Sequence, residues 1–193
     1  MPACIKLIAG ITLLILTVVT TAHAFEGDRT GVVLGIGLGY GNISDDLEAS
    51  HQYPDQILGQ RTSNGLVTEP VVGFCFAKRW MVQLSALGVW FERERVPAIA
   101  GYRGASISYY TNQTAPSWIL RAGVGSVRWT ERDYRYFGGV SGTGWLAGVG
   151  YEFSPHISAE LSLISGVAED RIDDYNVQVS LRGITLTLRA LAY

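Results

Sequence analysis

The feature that most constrains this chain is an alternation with a period of two residues, in which large apolar side chains trade places with glycine. Val32, Leu34, Ile36, Leu38 and Tyr40 alternate with Val33, Gly35, Gly37, Gly39 and Gly41. Successive side chains of a strand point to opposite faces, so one face is apolar and the other is nearly bare. Val72, Phe74 and Phe76 oppose Glu69, Gly73 and Cys75, and Trp145, Ala147, Val149, Tyr151 and Phe153 oppose Leu146, Gly148, Gly150 and Glu152. Ile157, Ala159, Leu161 and Leu163 oppose Ser158, Glu160, Ser162 and Ile164. In a soluble sandwich the face turned away from the core would be rich in Lys, Glu, Thr and Asp. Here it is mostly glycine, serine and single charges. A lipid-facing barrel inverts the arrangement, with apolar side chains toward hydrocarbon and small or polar ones in the lumen. Its glycines leave room for a few long inward side chains.

Connector lengths point the same way. Residues 77–79 and 154–156 are tight turns, whereas 42–65 is long and polar, and 96–104, 133–142 and 169–176 are further polar or glycine-bearing links. Short and long connectors alternate, as short periplasmic turns and longer extracellular loops do in outer-membrane barrels. The reading predicts eight strands, near 31–41, 66–77, 80–93, 104–112, 117–130, 143–153, 157–168 and 177–193. The fold expected is an all-β, eight-stranded, antiparallel, up-and-down transmembrane barrel. Its weakest strand is the fourth, since Ser106, Ser108 and Tyr110 are barely amphipathic.

Upstream, residues 1–24 read as a cleaved signal peptide: one early positive charge, an apolar run from Leu7 to Val19, and the small-x-small end Ala22, His23, Ala24. Cleavage between Ala24 and Phe25 leaves residues 25–193 as the barrel domain. Cys4 precedes the apolar run and leaves with the signal, so Cys75 is the one remaining thiol and takes a packing role. No later run approaches the ~18–20 apolar residues that a spanning helix needs.

Composition excludes other classes. With 17% charged residues and a net charge of −2, the chain offers no basic stripe for nucleic acid. At 48% hydrophobic it is too apolar for disorder. Two cysteines build neither a disulfide framework nor a four-ligand zinc site.

The segment from Gly148 to Ser158, followed by Glu160 and Leu161, resembles the penultimate hairpin of small eight-stranded barrels of the OmpA and OmpX type. The chain also ends on an aromatic, Tyr193. In that family a terminal aromatic belongs to the signal read by the outer-membrane assembly machinery, so the resemblance implies that role for Tyr193. Counting back by twos gives Leu191, Arg189, Thr187 and Thr185, while Ile184, Leu186 and Leu188 lie on the other phase. A bulge or register change near the end is therefore expected.

The inferred inward phase carries Glu69, Glu152 and Glu160 with Arg121 and Arg182, and the neutral Gln83 and Gln178. Charges in a dry, narrow lumen must pair, because an unpaired one costs several kcal/mol. These residues are expected to form a salt-bridged plug, the alternative being a gated ion path. His156 and Ser158, with Glu169 or Asp170 downstream, invite comparison with a barrel-borne lipid A deacylase. His156 belongs to a short turn, however, and Asp170 to the opposite rim, beyond hydrogen-bond reach. Glu169, Asp170, Asp173 and Asp174 lack the full spacing of an EF-hand and read as a solvated loop. Trp80, Trp90, Trp118, Trp129 and Trp145 fall near predicted strand ends, where aromatic girdles account for many of them, and Arg128, Arg132 and Arg135 make the third loop cationic.

The expectation is a non-enzymatic, monomeric outer-membrane protein without cofactor, serving envelope structure or surface contact through its loops. Its expected partners are outer-membrane lipid and lipopolysaccharide, the assembly machinery, and an extracellular partner at the loops. A narrow pore, a lipid A-modifying enzyme and a soluble periplasmic binder stay open as alternatives.

Overall fold

The computed structural model describes residues 29–49, 61–93, 96–131, 139–172 and 175–193. The segment expected to be a signal peptide, with the expected cleavage point between Ala24 and Phe25, lies outside them, as do Arg132, Arg135, Asp173 and Asp174. Eight strands follow one another: β1 (Gly31–Ala49), β2 (Arg61–Ala77), β3 (Trp80–Arg93), β4 (Val96–Tyr110), β5 (Ser117–Glu131), β6 (Val140–Ser154), β7 (Ile157–Ile172) and β8 (Tyr175–Ala192). Each pairs antiparallel with its neighbours in sequence, and β8 closes on β1 to give a barrel. Following the register once around from Gly37 returns to β1 at Leu47, a shear of ten residues. For eight strands that sets a tilt of about 40°.

The alternation decides which face goes where. Leu34, Leu38, Val72, Leu84, Leu120, Leu163 and Leu186 are all about half exposed on the outer wall. This belt is bounded below by Trp80, which packs on Tyr109 at 4.8 Å between ring centroids, and by Trp118 on Tyr151 at 5.1 Å. Tyr40, Trp90 and Trp145 bound it above. Trp80 and Trp90 are ten residues apart on β3, which at this tilt separates the girdles by roughly 25 Å, the height of the apolar band of an outer-membrane barrel.

Three expectations need correction. The strands are longer than the membrane requires, and much of the predicted loops is paired. β1 runs to Ala49 and β2 starts at Arg61, with Asn42 Nδ2 donating to Asn64 Oδ1 (2.9 Å) and Ser44 facing Thr62 (2.8 Å) across the extension. The fourth strand starts at Val96 and pairs along its length with β3 and β5. The last strand contains no bulge: its registers with β7 and β1 are unbroken, and the shifts lie instead at Cys75/Ala77 and Glu152/Ser154, next to two tight turns. Ile184, Leu186 and Leu188 therefore face lipid, while Thr185, Thr187, Arg189, Leu191 and Tyr193 face the lumen.

Candidate functional site

The inward face is layered. Its outer third is apolar, with Val67, Leu87, Val89, Val127, Leu146 and Ile164 buried in one cluster where small or polar residues were expected. Tyr102 belongs to this layer and turns its hydroxyl to the carbonyl of Ala105 (3.0 Å). Sequence positions such as Leu66–Val67 and Val89–Trp90, apolar on both phases, carried that signal.

Below lies a charge layer. Arg121 on β5 reaches Glu69 on β2 at 2.7 Å and Glu160 on β7 at 2.9 Å. Its Nε donates to Ser106 Oγ (3.0 Å) and its Nη2 to Ser85 Oγ (2.6 Å). Arg189 on β8 closes the set: Nη1 meets Glu160 at 2.5 Å, Nε lies 3.4 Å from Glu69, and Nη2 donates to Gln83 Oε1 at 3.0 Å. All four charged side chains are fully buried, two of each sign, so the layer is neutral. Two glycines make room for it. A Cβ on Gly37 would lie 3.2 Å from Cβ of Glu69 and 3.3 Å from Cγ of Arg189, and one on Gly148 would lie 3.0 Å from the Glu160 carboxylate.

Glu69, Arg121 and Glu160 are thus brought together as the strand phase placed them. Arg182 is not among them. It sits on the outward phase of β8 and is exposed, because an unbroken register turns Arg189 inward in its stead. Gln178 is exposed for the same reason.

Glu152 lies apart, near the end of the barrel where the tight turns and both ends of the described chain meet. Its partner is Arg29, which precedes the first strand and which reading by strands left out. Gly31, at φ +87°, occupies the left-handed region that favours glycine and bends the chain there. Arg29 ion-pairs with Glu152, donates to the carbonyl of Asn112 at 2.7 Å, and stacks over the Tyr110 ring at 4.2 Å. Burial works against its charge, but the hydrogen bond and charge of Glu152 outweigh it and hold the guanidinium's pKa above its ordinary value. Tyr193, placed by its family resemblance in an assembly signal, faces this cluster instead of lipid. Its hydroxyl donates to Glu152 at 2.7 Å and accepts from the His156 amide at 3.3 Å. Burial, and then the hydrogen bond to Glu152 with its negative charge, push the phenol's pKa upward. Cys75 packs against this lower layer, buried with Met81 and Tyr110.

Three inward acids and two expected bases left one negative charge over. That imbalance was the available signal for Arg29.

The deacylase-like set does not assemble. His156 sits in the β6–β7 turn at φ +74°, its Nδ1 2.9 Å from the carbonyl of Leu191, while Asp170 is near the far end of β7. Ser158 is buried inside. Glu169 is exposed, and among the described residues no three His, Cys, Asp or Glu side chains are grouped to hold a metal.

A closed barrel satisfies every strand edge, and an apolar belt between aromatic girdles matches its exterior to a bilayer. This is an outer-membrane type of barrel. No family model matches the chain, and no curated protein does. Among solved structures it is similar to the outer membrane protein OprG from Pseudomonas aeruginosa, at 14% identity and a TM-score of 0.48 over 86% of this chain and 97% of that one. It is also similar to Neisserial surface protein A, at 13% and 0.49 over 82% and 97%. A third is Ail, the attachment invasion locus protein of Yersinia pestis, at 15% and 0.40 over 82% and 99%.

Proposed function

We propose that the chain is a non-enzymatic outer-membrane barrel whose work is done by its exterior, in envelope structure or in surface contacts at the long connectors, with the lumen serving as a plug. The observation that carries this is the neutral, fully buried quartet of Glu69, Arg121, Glu160 and Arg189 beneath an apolar outer layer. An eight-stranded interior is just wide enough for side chains to fill, and a filled interior with every charge paired offers no hydrated path. Lipopolysaccharide and the assembly machinery of that membrane are its expected partners, and closure suits a monomer, since no strand edge is left over.

Planar-bilayer recording of the purified barrel tests the reading. Silence at all voltages short of membrane rupture is the expected outcome. Discrete, reproducible openings would favour a pore in which the quartet exchanges partners.

A further inference from the structure

The outer wall is dented where it crosses β3, β4 and β5. Ala105 and Ala122 form the floor of an apolar groove of about 860 Å³, walled by Phe74 and Leu84 on one side and by Val124 and Trp145 on the other. A second hollow continues the groove along Ala86 and Gly125 to Arg103. A third joins Arg103 to Arg128 beside Trp90. The two arginines belong to one outward face: Arg103 pairs with Ser126, and Arg128 with Gly101, so they start from diagonal positions about 7–8 Å apart. With the strand tilt, Arg103 is level with Trp145 and Arg128 with Trp90, both in the girdle at the long-connector end.

At the girdle a single outward guanidinium costs little, so what singles out this site is two of them on one face at the head of an apolar groove. Among the described residues neither arginine is ion-paired. Each is steered by one strand hydroxyl, Arg103 Nε to Ser126 Oγ at 2.9 Å and Arg128 Nε to Thr130 Oγ1 at 3.1 Å, which leaves the terminal nitrogens of both forks for an anion. Glu92 on β3 lies six residues beyond Ala86, the residue opposite Arg103, and four beyond Gly88, the β3 position in line with Arg128 and two strands away from it.

We propose that this groove is a binding site for lipid A, with an acyl chain lying over Ala105 and Ala122 and a phosphate held between Arg103 and Arg128. Polarity selects the leaflet. Arg103 and Arg128 form a pair on the wall itself at the extracellular end of the groove, whereas at the other end the exposed cations Lys78 and Arg79 belong to the β2–β3 turn, beyond the ring of Trp80, Tyr109, Trp118 and Tyr151. The paired fork within the groove therefore favours an outer-leaflet phosphate, and the phosphatidylglycerol arm below tests the other leaflet. The proposal rests on the outer-membrane placement and on lipopolysaccharide as a partner, and deepens that reading by assigning the site and its contacts.

The test is native mass spectrometry of the full barrel refolded in detergent free of bacterial lipid, titrated with bisphosphorylated lipid A, with dephosphorylated lipid A, and with phosphatidylglycerol. One adduct of the bisphosphorylated lipid is expected. R103Q/R128Q should weaken it about tenfold, the scale of a lost bidentate phosphate contact. A105L/A122L, which fills the floor and leaves both arginines in place, should weaken it as well. Arg182→Gln, on β8 away from the groove, should leave it unchanged. Faster migration of each unboiled variant in SDS shows that its barrel is closed, so a failure of the membrane reading is told apart from a failure of the site. Equal retention by R103Q/R128Q, equal loss in Arg182→Gln, or equal binding of either control lipid would overturn the proposal.

Discussion

The charge layer and the cluster at the short-turn end use the same chemistry and are built from different pieces. In the layer, two arginines and two glutamates project from four strands, and three serine or glutamine side chains take up remaining donors. In the cluster, one arginine from ahead of β1 meets one glutamate from the end of β6, and a terminal tyrosine supplies the third contact. Both are neutral. They differ in what fixes them: strand register alone holds the layer, whereas the cluster needs a turn at Gly31 and the last residue of the sequence. The layer is therefore committed once the sheet closes. The cluster can form or open while the sheet stays intact.

The largest expected effect comes from breaking the layer. Arg121→Met strands Glu69 and Glu160 beside a single remaining cation, and removing one partner of a buried pair costs about 3–5 kcal/mol. Urea unfolding in lipid vesicles, followed by tryptophan fluorescence, should show a loss of that size. The double variant E69L/R121M should recover much of it, because neutrality returns with the second substitution. A double variant no more stable than the single one would mean that the serine and glutamine bonds, and not charge balance, hold the layer.

Next comes Arg29→Ala. It breaks one buried ion pair where Arg121→Met breaks two, and leaves Glu152 with Tyr193 alone, at a cost of about 3 kcal/mol, the low end for a buried pair that loses a partner. The comparison is sharpened by where the loss appears. Hydrogen exchange should rise at the β2–β3 and β4–β5 turns, whose carbonyls at Lys78 and Asn112 accept from Arg29, and stay slow at Gln83 and Ser106 in the layer. Exchange rising equally in both places would merge the two regions into one cooperative unit.

How much of this was legible follows the same division. The phase of Glu69, Arg121 and Glu160 could be read because each lies inside a strand whose alternation is clean. Arg189 was missed, although counting back from Tyr193 puts both on one phase; the lumen-facing series Thr185, Thr187 and Arg189 is polar, and an apolar series was the one expected to end on an aromatic. Arg29 precedes the first strand, where no period exists to assign it a face. In the paired extensions beyond the girdle the pattern inverts, with polar Asn42, Ser44 and Asn64 outward and apolar Ile43, Val179 and Leu181 inward, so the alternation of the membrane band does not continue through them.

A smaller effect belongs to the hydroxyl of Tyr193. Tyr193→Phe keeps the ring and deletes the bond to the Glu152 carboxylate, for about 1.5–3 kcal/mol. The pH dependence has a definite sign. Since the phenol's pKa is raised in the folded protein, its contribution is complete below the unfolded value of about 10 and is lost as pH rises beyond it. Urea midpoints measured between pH 8 and 11 should fall more steeply for the native chain than for Tyr193→Phe. Parallel slopes would remove the hydroxyl from the cluster's energetics.

The smallest effect tests which arginine of β8 belongs inside. Arg182→Gln changes an exposed outward side chain and should move stability by no more than about 0.5 kcal/mol, whereas Arg189→Gln, seven residues on, deletes both of its ion pairs. The two substitutions are chemically identical and lie on one strand, so strand propensity and net charge cancel between them. What remains is the face each residue occupies. A large loss at Arg182 with little at Arg189 would require β8 to slip by one residue, which would turn Tyr193 to lipid and empty both the charge layer and the Glu152 cluster of their last-strand members.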